Sequence, residues 1–132
     1  MNIIHIGSES EYVRVMLKPP YSKTGWCEST VEIAVSGFSG RIEASLEICD
    51  ITDFASELTA LYQSLQGEAR LCPREEQFTI VVSVQARGQV HVHGVAWSKA
   101  TYENKLDYNF WLDQSFLPPV LAQLQDLLNG EY

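Results

Sequence analysis

The stretch from residue 37 to residue 67 limits the fold more than any other part of this sequence. Residues 37–40 read Gly-Phe-Ser-Gly and separate two runs, 29–36 and 41–49, in which apolar and polar residues alternate. Alternation with a period of two is typical of a strand that has one buried and one wetter face. A short connection with two glycines favours a tight turn between such strands. The stretch therefore predicts an antiparallel hairpin.

A helix is expected to follow this hairpin directly. Asp50 is suited to the N-cap position, because its carboxylate can accept hydrogen bonds from the free amides of the first turn. Gly67 suits the position just after the helix, where the backbone takes a left-handed conformation. An apolar stripe at helical spacing gives the helix one face to bury. Its members are Phe54, Leu58, Leu61 and Leu65.

The rest of the chain completes an α+β pattern. A second apolar stripe predicts a helix that begins near Pro118 or Pro119 and ends at Gly130. Residues 19–27 are predicted to form a loop with an aromatic tip. Alternating runs predict further strands at 2–6, 11–18, 77–87, 89–98 and 105–112, with a weaker one at 68–71. We therefore expect an antiparallel β-sheet meander of six to eight strands, with two amphipathic helices packed on the apolar side.

Bulk properties restrict the class of protein. A chain of 132 residues fits one domain, 1–132, with a self-sufficient core. The formal net charge of −8 argues against a general nucleic-acid binder, which would present a basic patch, and permits association with a basic protein. The N-terminus lacks the basic region and long apolar block of a secretory signal. We expect a cytoplasmic protein that acts on no membrane.

No motif in the chain predicts catalysis. Phosphate-binding loops, dinucleotide fingerprints and zinc patterns are missing, so we expect neither an enzyme nor a cofactor. Three cysteines at spacings that match no zinc motif are expected to behave as small apolar residues. His91 and His93 lie on one face of a predicted strand, about 7 Å apart. They could hold a metal ion only if a neighbouring strand supplied a third ligand.

The chain resembles the WapI family of bacterial immunity proteins. The matching segments are residues 6–9 (IGSE), 37–40 (GFSG) with the strand 41–48, the helix residues Phe54, Leu58 and Leu61-Tyr62, residues 64–69 (SLQGEA), residues 113–118 (DQSFLP) and Gln123-Leu124. The resemblance implies a small non-enzymatic antitoxin that binds the C-terminal toxin of a large surface-delivered polypeptide. The namesake toxin of the family is a nuclease that acts on tRNA, so a basic nuclease domain is one candidate for the partner.

The face that meets such a partner is predicted from charge alone. Glu32, Glu43 and Glu47 occupy the polar sides of the two hairpin strands, and we expect this acidic face to contact the toxin. Reversal of Glu43 and Glu47 to lysine is expected to weaken binding without unfolding the domain. Two other functions stay open: a small-ligand or metal site on the His91/His93 strand face, and a structural homo-oligomer, such as a homodimer, that pairs through an uncovered sheet face.

Overall fold

The computed structural model describes residues 2–21 and 25–129. Two helices and eight strands confirm the predicted α+β class. None of the described helices is long and apolar enough to cross a membrane. The strands are β1 Ile3–Gly7, β2 Tyr12–Lys18, β3 Trp26–Val35, β4 Phe38–Glu47, β5 Glu68–Leu71, β6 Ile80–Val84, β7 Gln89–Trp97 and β8 Lys105–Asp113; the helices are α1 Ile48–Ser64 and α2 Leu117–Asn129.

The eight strands are divided between two antiparallel sheets, each of which is a simple meander. The first sheet has the order β1-β2-β3-β4 and the second has the order β5-β6-β7-β8. Helix α1 connects the two sheets in sequence. Buried residues from both sheets and both helices form one continuous hydrophobic core.

Apolar and polar residues of the strands lie on the inner and outer faces of the sheet, as their alternation in the sequence predicts. Val13 and Val15 of β2 lie against Ile33 and Val31 of β3 in register, and all four are buried. The intervening residues point to the outer face of the first sheet. Cys27 is buried on the inner side of β3, whereas Cys49 and Cys72 are exposed, so only one cysteine behaves as the predicted small apolar residue.

The start of α1 differs from the prediction. The helix begins at Ile48 with Glu47 as its N-cap, so Ile48 and Cys49 are helical and Asp50 is the third helical residue. Asp50 accepts a hydrogen bond from the backbone amide of Glu47 at 2.9 Å, as in a capping box. The sequence pattern misleads here because the apolar residue Ile48 continues both the alternation of the strand and the stripe of the helix.

The end of α1 also differs. Leu65 takes the left-handed conformation, with φ of 55°, and its amide donates to the carbonyl of Leu61 at 2.7 Å. Gly67, predicted for this role, has φ of 88° two residues later and turns the chain into β5. A β-carbon makes the left-handed conformation unfavourable, so Leu65 holds backbone strain that glycine would avoid.

The remaining boundaries lie close to their predicted positions. Helix α2 begins at Leu117, one residue before Pro118, and Gly130 lies outside the described residues. The weak strand at 68–71 is confirmed as β5. The predicted strand at 77–87 is shorter, since β6 covers Ile80–Val84 and residues 86–88 form a short 3₁₀ turn. Only parts of the predicted 19–27 loop are described, and Trp26 already belongs to β3.

Both helices protect a sheet edge. Alternate residues of an edge strand point their N–H and C=O groups away from the sheet. On β1, the outward amide of His5 donates to the side chain of Gln123 in α2 at 2.8 Å. On β5, the outward amide of Arg70 donates to the side chain of Glu57 in α1 at 2.9 Å. The helices therefore bury their apolar stripes and cap one edge of each sheet at the same time.

Replacement of Leu65 by glycine is expected to stabilise the protein by up to about 1 kcal/mol, because glycine adopts the left-handed conformation without a β-carbon clash. Urea unfolding followed by circular dichroism measures the change. Gly67→Ala, with its positive φ, serves as the control and is expected to destabilise. Lower stability of the Leu65→Gly variant would mean that the contacts of the leucine side chain outweigh its strain.

Candidate partner-binding surfaces

The three predicted contact residues lie on the outer face of the first sheet. Antiparallel register places Glu32 of β3 opposite Arg41 of β4, and Thr30 opposite Glu43. Glu47 lies at the end of β4, opposite Trp26. The structure thus confirms that the three glutamates share a face, and their contact with a toxin stays a prediction. We call this surface the ion-pair face; its charged members are Arg14, Lys18, Glu28, Glu32, Arg41, Glu43 and Glu47.

Each of these glutamates is paired with a cation of the same chain. Glu32 lies between Arg14 and Arg41, with each guanidinium 3.1 Å from one of its carboxylate oxygens. Glu43 lies 2.9 Å from the ammonium group of Lys18. Glu47 lies 3.1 Å from Arg74, which comes from the loop after β5. The sequence did not predict these pairs, because they depend on the register between strands.

The pairing reduces the negative field of the ion-pair face. A hydrogen bond from Lys18 lowers the pKa of Glu43, and a second one from the hydroxyl of Thr30, at 2.7 Å, acts in the same direction. The side chain of Glu43 is 58% exposed, compared with 23% for Glu32 and 21% for Glu47. Glu43 is therefore the member of the trio that a partner reaches most easily.

Glu47 has a structural role that the sequence did not reveal. It is the N-cap residue of α1, its amide is bonded to Asp50, and its carboxylate pairs with Arg74. A lysine at this position would face Arg74 and disturb the start of the helix. Charge reversal at Glu47 is therefore a test of folding as well as of binding, and the expectation that it leaves the domain folded stays a prediction.

A second acidic surface is formed by the two helices, which pack against each other. We call it the helix layer. Its two helices contain Asp50, Asp53, Glu57 and Asp126 but no lysine or arginine. Within the described ranges, no cation lies within 4.0 Å of Asp53 or Asp126. A count of charges for each predicted helix would have identified this surface from sequence.

A shallow groove runs between the helices of this layer. Its walls combine small and apolar side chains, such as Ala55, Ala60 and Leu121, with the amide groups of Gln63 and Gln125. The helix layer therefore offers apolar contact and unneutralised negative charge together, whereas on the ion-pair face Glu32, Glu43 and Glu47 are already paired with cations.

The outer face of the second sheet has a different chemistry. The imidazole of His91 stacks on the indole of Trp111, with ring centroids 4.4 Å apart, and on the ring of His93 at 4.9 Å. Trp111 is 52% exposed. Burial lowers the pKa of His93, and the nearby His91 lowers it further. We call His91, His93 and Trp111 the aromatic stack.

The histidine pair lacks the further ligand that a metal site needs. Among residues 2–21 and 25–129, no group of three or more His, Cys, Asp or Glu side chains is placed to hold a metal ion. His91 instead interacts with Asn109, with 3.3 Å between Nε2 and Oδ1. The geometry therefore gives no support to the metal-binding alternative.

Comparison with known proteins identifies the family. The model of the immunity protein WapI-like family matches residues 4–130. The chain belongs to this WapI-like immunity family. The resemblance predicted from the sequence is thereby confirmed.

Other comparisons add little about function. A solved structure, the CdiA-CT/CdiI toxin and immunity complex from Enterobacter cloacae, contains a similar chain with a TM-score of 0.48 and 10% sequence identity. The similarity covers 94% of this chain and 97% of that chain. A likeness at this level supports no conclusion about partner or mechanism. No curated protein matches the sequence.

The hydrogen bond from Lys18 can be tested by titration. Replacement of Lys18 by methionine is expected to raise the pKa of Glu43 towards its ordinary value, because the largest cause of the lowered pKa is removed. NMR titration of the Glu43 carboxyl carbon measures this change. Thr30→Val is expected to raise the pKa less, and Lys105→Met, on the second sheet, is expected to leave it unchanged. An unchanged pKa in Lys18→Met would contradict the pairing.

Proposed function

We propose that this protein is a non-enzymatic immunity protein that binds a cognate toxin in the cytoplasm and neutralises it. The observation that carries the proposal is the match of the WapI-like immunity family to residues 4–130, which is nearly the whole chain. Binding without catalysis fits the surfaces described above. They offer charged, aromatic and shallow apolar contacts of the kind that protein interfaces use.

A basic toxin domain is the partner that the charge distribution favours. The chain has a formal net charge of −8, and opposite charge on a partner accelerates encounter and excludes wrong partners. Nucleases bind phosphate backbones with lysine and arginine side chains, so a nuclease domain would present a basic surface of this kind. An immunity protein that covers such a surface would exclude the nucleic acid from it.

Two surfaces are candidates for the toxin-binding site in this proposal. The ion-pair face is the one predicted from sequence, with Glu43 as its most exposed carboxylate. A partner at Glu43 would exchange contacts with Lys18. Glu28 on the same face accepts a hydrogen bond from the hydroxyl of Ser45 at 2.6 Å, and among the described residues it has no cation within 4.0 Å. In the helix layer, no cation among the described residues lies within 4.0 Å of Asp53 or Asp126, so a basic partner would gain attraction there without breaking an ion pair with any of those residues.

Co-expression with the toxin domain encoded beside this gene is expected to restore growth to cells that the toxin alone inhibits, and the two proteins are expected to copurify. Isothermal titration calorimetry then measures affinity for a catalytically inactive toxin. A matched control is an unrelated acidic protein of similar size. Continued growth inhibition, together with failure of the two proteins to copurify, would overturn the proposal.

Charge reversal distinguishes the two surfaces. If the toxin contacts the ion-pair face, Glu43→Lys is expected to weaken binding at least tenfold, or about 1.4 kcal/mol, and Asp53→Lys/Asp126→Lys is expected to have little effect. A larger loss of affinity in Asp53→Lys/Asp126→Lys than in Glu43→Lys would instead assign the toxin to the helix layer. Thermal unfolding of each variant confirms that the fold is retained. If both variants keep full affinity, neither surface contacts the toxin, although the protein can still be an immunity protein.

A further inference from the structure

The edge of β8 differs from the other three sheet edges. Outward amides of β1 and β5 are capped by Gln123 and Glu57, as described above. On β4, the carbonyl of Glu43 accepts from the side chain of Gln77 at 2.8 Å, and the amide of Glu47 is bonded to Asp50. Each of these edges therefore has at least one outward backbone group satisfied from within the chain.

The hydrogen bonds of β7 determine which backbone groups of β8 point away from the sheet. The carbonyl of Val95 accepts from the amide of Thr79, and the amide of Trp97 donates to the carbonyl of Gln77, so the odd-numbered residues of β7 bond towards β6. Its even-numbered residues then bond towards β8, where Gly94 is opposite Tyr108. The odd-numbered residues of β8 consequently point their N–H and C=O groups to the free edge.

These outward groups have no protein partner within the part of the chain that the structure describes. The backbone amides of Asp107, Asn109 and Trp111 donate no hydrogen bond to a described residue, and their carbonyls accept none. The strand is nine residues long, and the side chain of Asp107 is 72% exposed. A long edge with unpaired backbone groups is a template for another strand.

The side chains along this edge are complementary to themselves. In an antiparallel pairing of two copies centred on Asn109, Lys105 of each copy lies opposite Asp113 of the other, and all nine residues of β8 are paired. Opposite charges directly across an antiparallel pair are favourable. To form this pair, Lys105 exchanges its 3.5 Å contact with Asp107 for Asp113 of the other copy, whose carboxylate also accepts from the amide of Ser115. Registers centred on residue 107 or 110 place two aspartates against each other, and the remaining registers shorten the ladder.

We propose that β8 pairs with β8 of a second copy of this chain, with Asn109 on the two-fold axis. The two second sheets then join into one continuous eight-stranded sheet, and the two aromatic stacks lie on the same side of it. A two-fold antiparallel pairing is self-complementary, as a closed dimer requires. This inference does not depend on the proposed function, because it rests only on the edge and its charges.

Proline at residue 109 tests the backbone pairing. Its missing N–H lies at the free edge in the monomer, where proline is tolerated, but at the centre of the pairing in the dimer. Asn109→Pro is expected to weaken dimerisation on the order of tenfold or more, since both copies lose a central hydrogen bond. Asn109→Thr is the matched control: it also loses the side-chain contact with His91 but keeps the amide, and it is expected to dimerise like the wild type.

Lysine and aspartate swaps test the register. Lys105→Asp alone places two aspartates opposite each other and is expected to weaken the dimer. The double variant Lys105→Asp/Asp113→Lys restores opposite charges in this register and is expected to recover dimerisation. Failure of the double variant to recover, while its melting temperature shows that it is folded, would overturn the register.

Sedimentation equilibrium at physiological salt, over a wide range of protein concentration, measures each dissociation constant. The expected result is a wild-type dimer that becomes monomeric in Asn109→Pro. A wild-type protein that stays monomeric at every concentration overturns the proposal, as does an Asn109→Pro variant that still dimerises. If the wild type is monomeric and Asn109→Pro loses affinity for the toxin, the edge receives a strand of the toxin and not a second copy.

Discussion

The contact between helices and strand edges is the interaction on which the rest of this structure depends. Two four-stranded sheets with short turns have four edges, and each edge presents unpaired backbone groups. Burying these groups costs free energy, and exposing them allows other chains to pair with the edge and aggregate. Helix α1 lies beside β5 and helix α2 lies beside β1, and a side chain of each helix accepts a hydrogen bond from an outward amide of its strand. Without these helices the inner faces of both sheets would also lose part of their apolar cover.

The local features of the fold could be read from the sequence because they depend on periodicity. Val13 and Val15 alternate with polar neighbours, and this pattern alone assigns them to the buried face. The stripe of α1 is similarly visible. Boundaries were less predictable at Glu47 and Leu65, where neither the helix start nor its end uses the residue with the strongest intrinsic preference. Tertiary packing decides such positions, and propensity is only a weak guide.

The division into two sheets and the state of the candidate site could not be predicted in the same way. Whether β4 and β5 pair or separate depends on where α1 packs, which is a property of the whole core. The charge of Glu43 is visible in the sequence, but its pairing with Lys18 requires the register of three strands. The acidity of the helix layer was available from sequence, since α1 and α2 contain no basic residue.

The placement of the two exposed cysteines has a chemical consequence. A thiol reacts as its thiolate, so anything that keeps it protonated protects it from oxidants and alkylating agents. Desolvation raises the pKa of Cys49, and the carboxylates of Glu47, Asp50 and Asp53 raise it further. Cys72 has its pKa raised by desolvation and by Glu76. Desolvation, together with the acidic surroundings, therefore lowers the thiolate fraction of Cys49 and Cys72, which slows their reaction with oxidants despite their exposure.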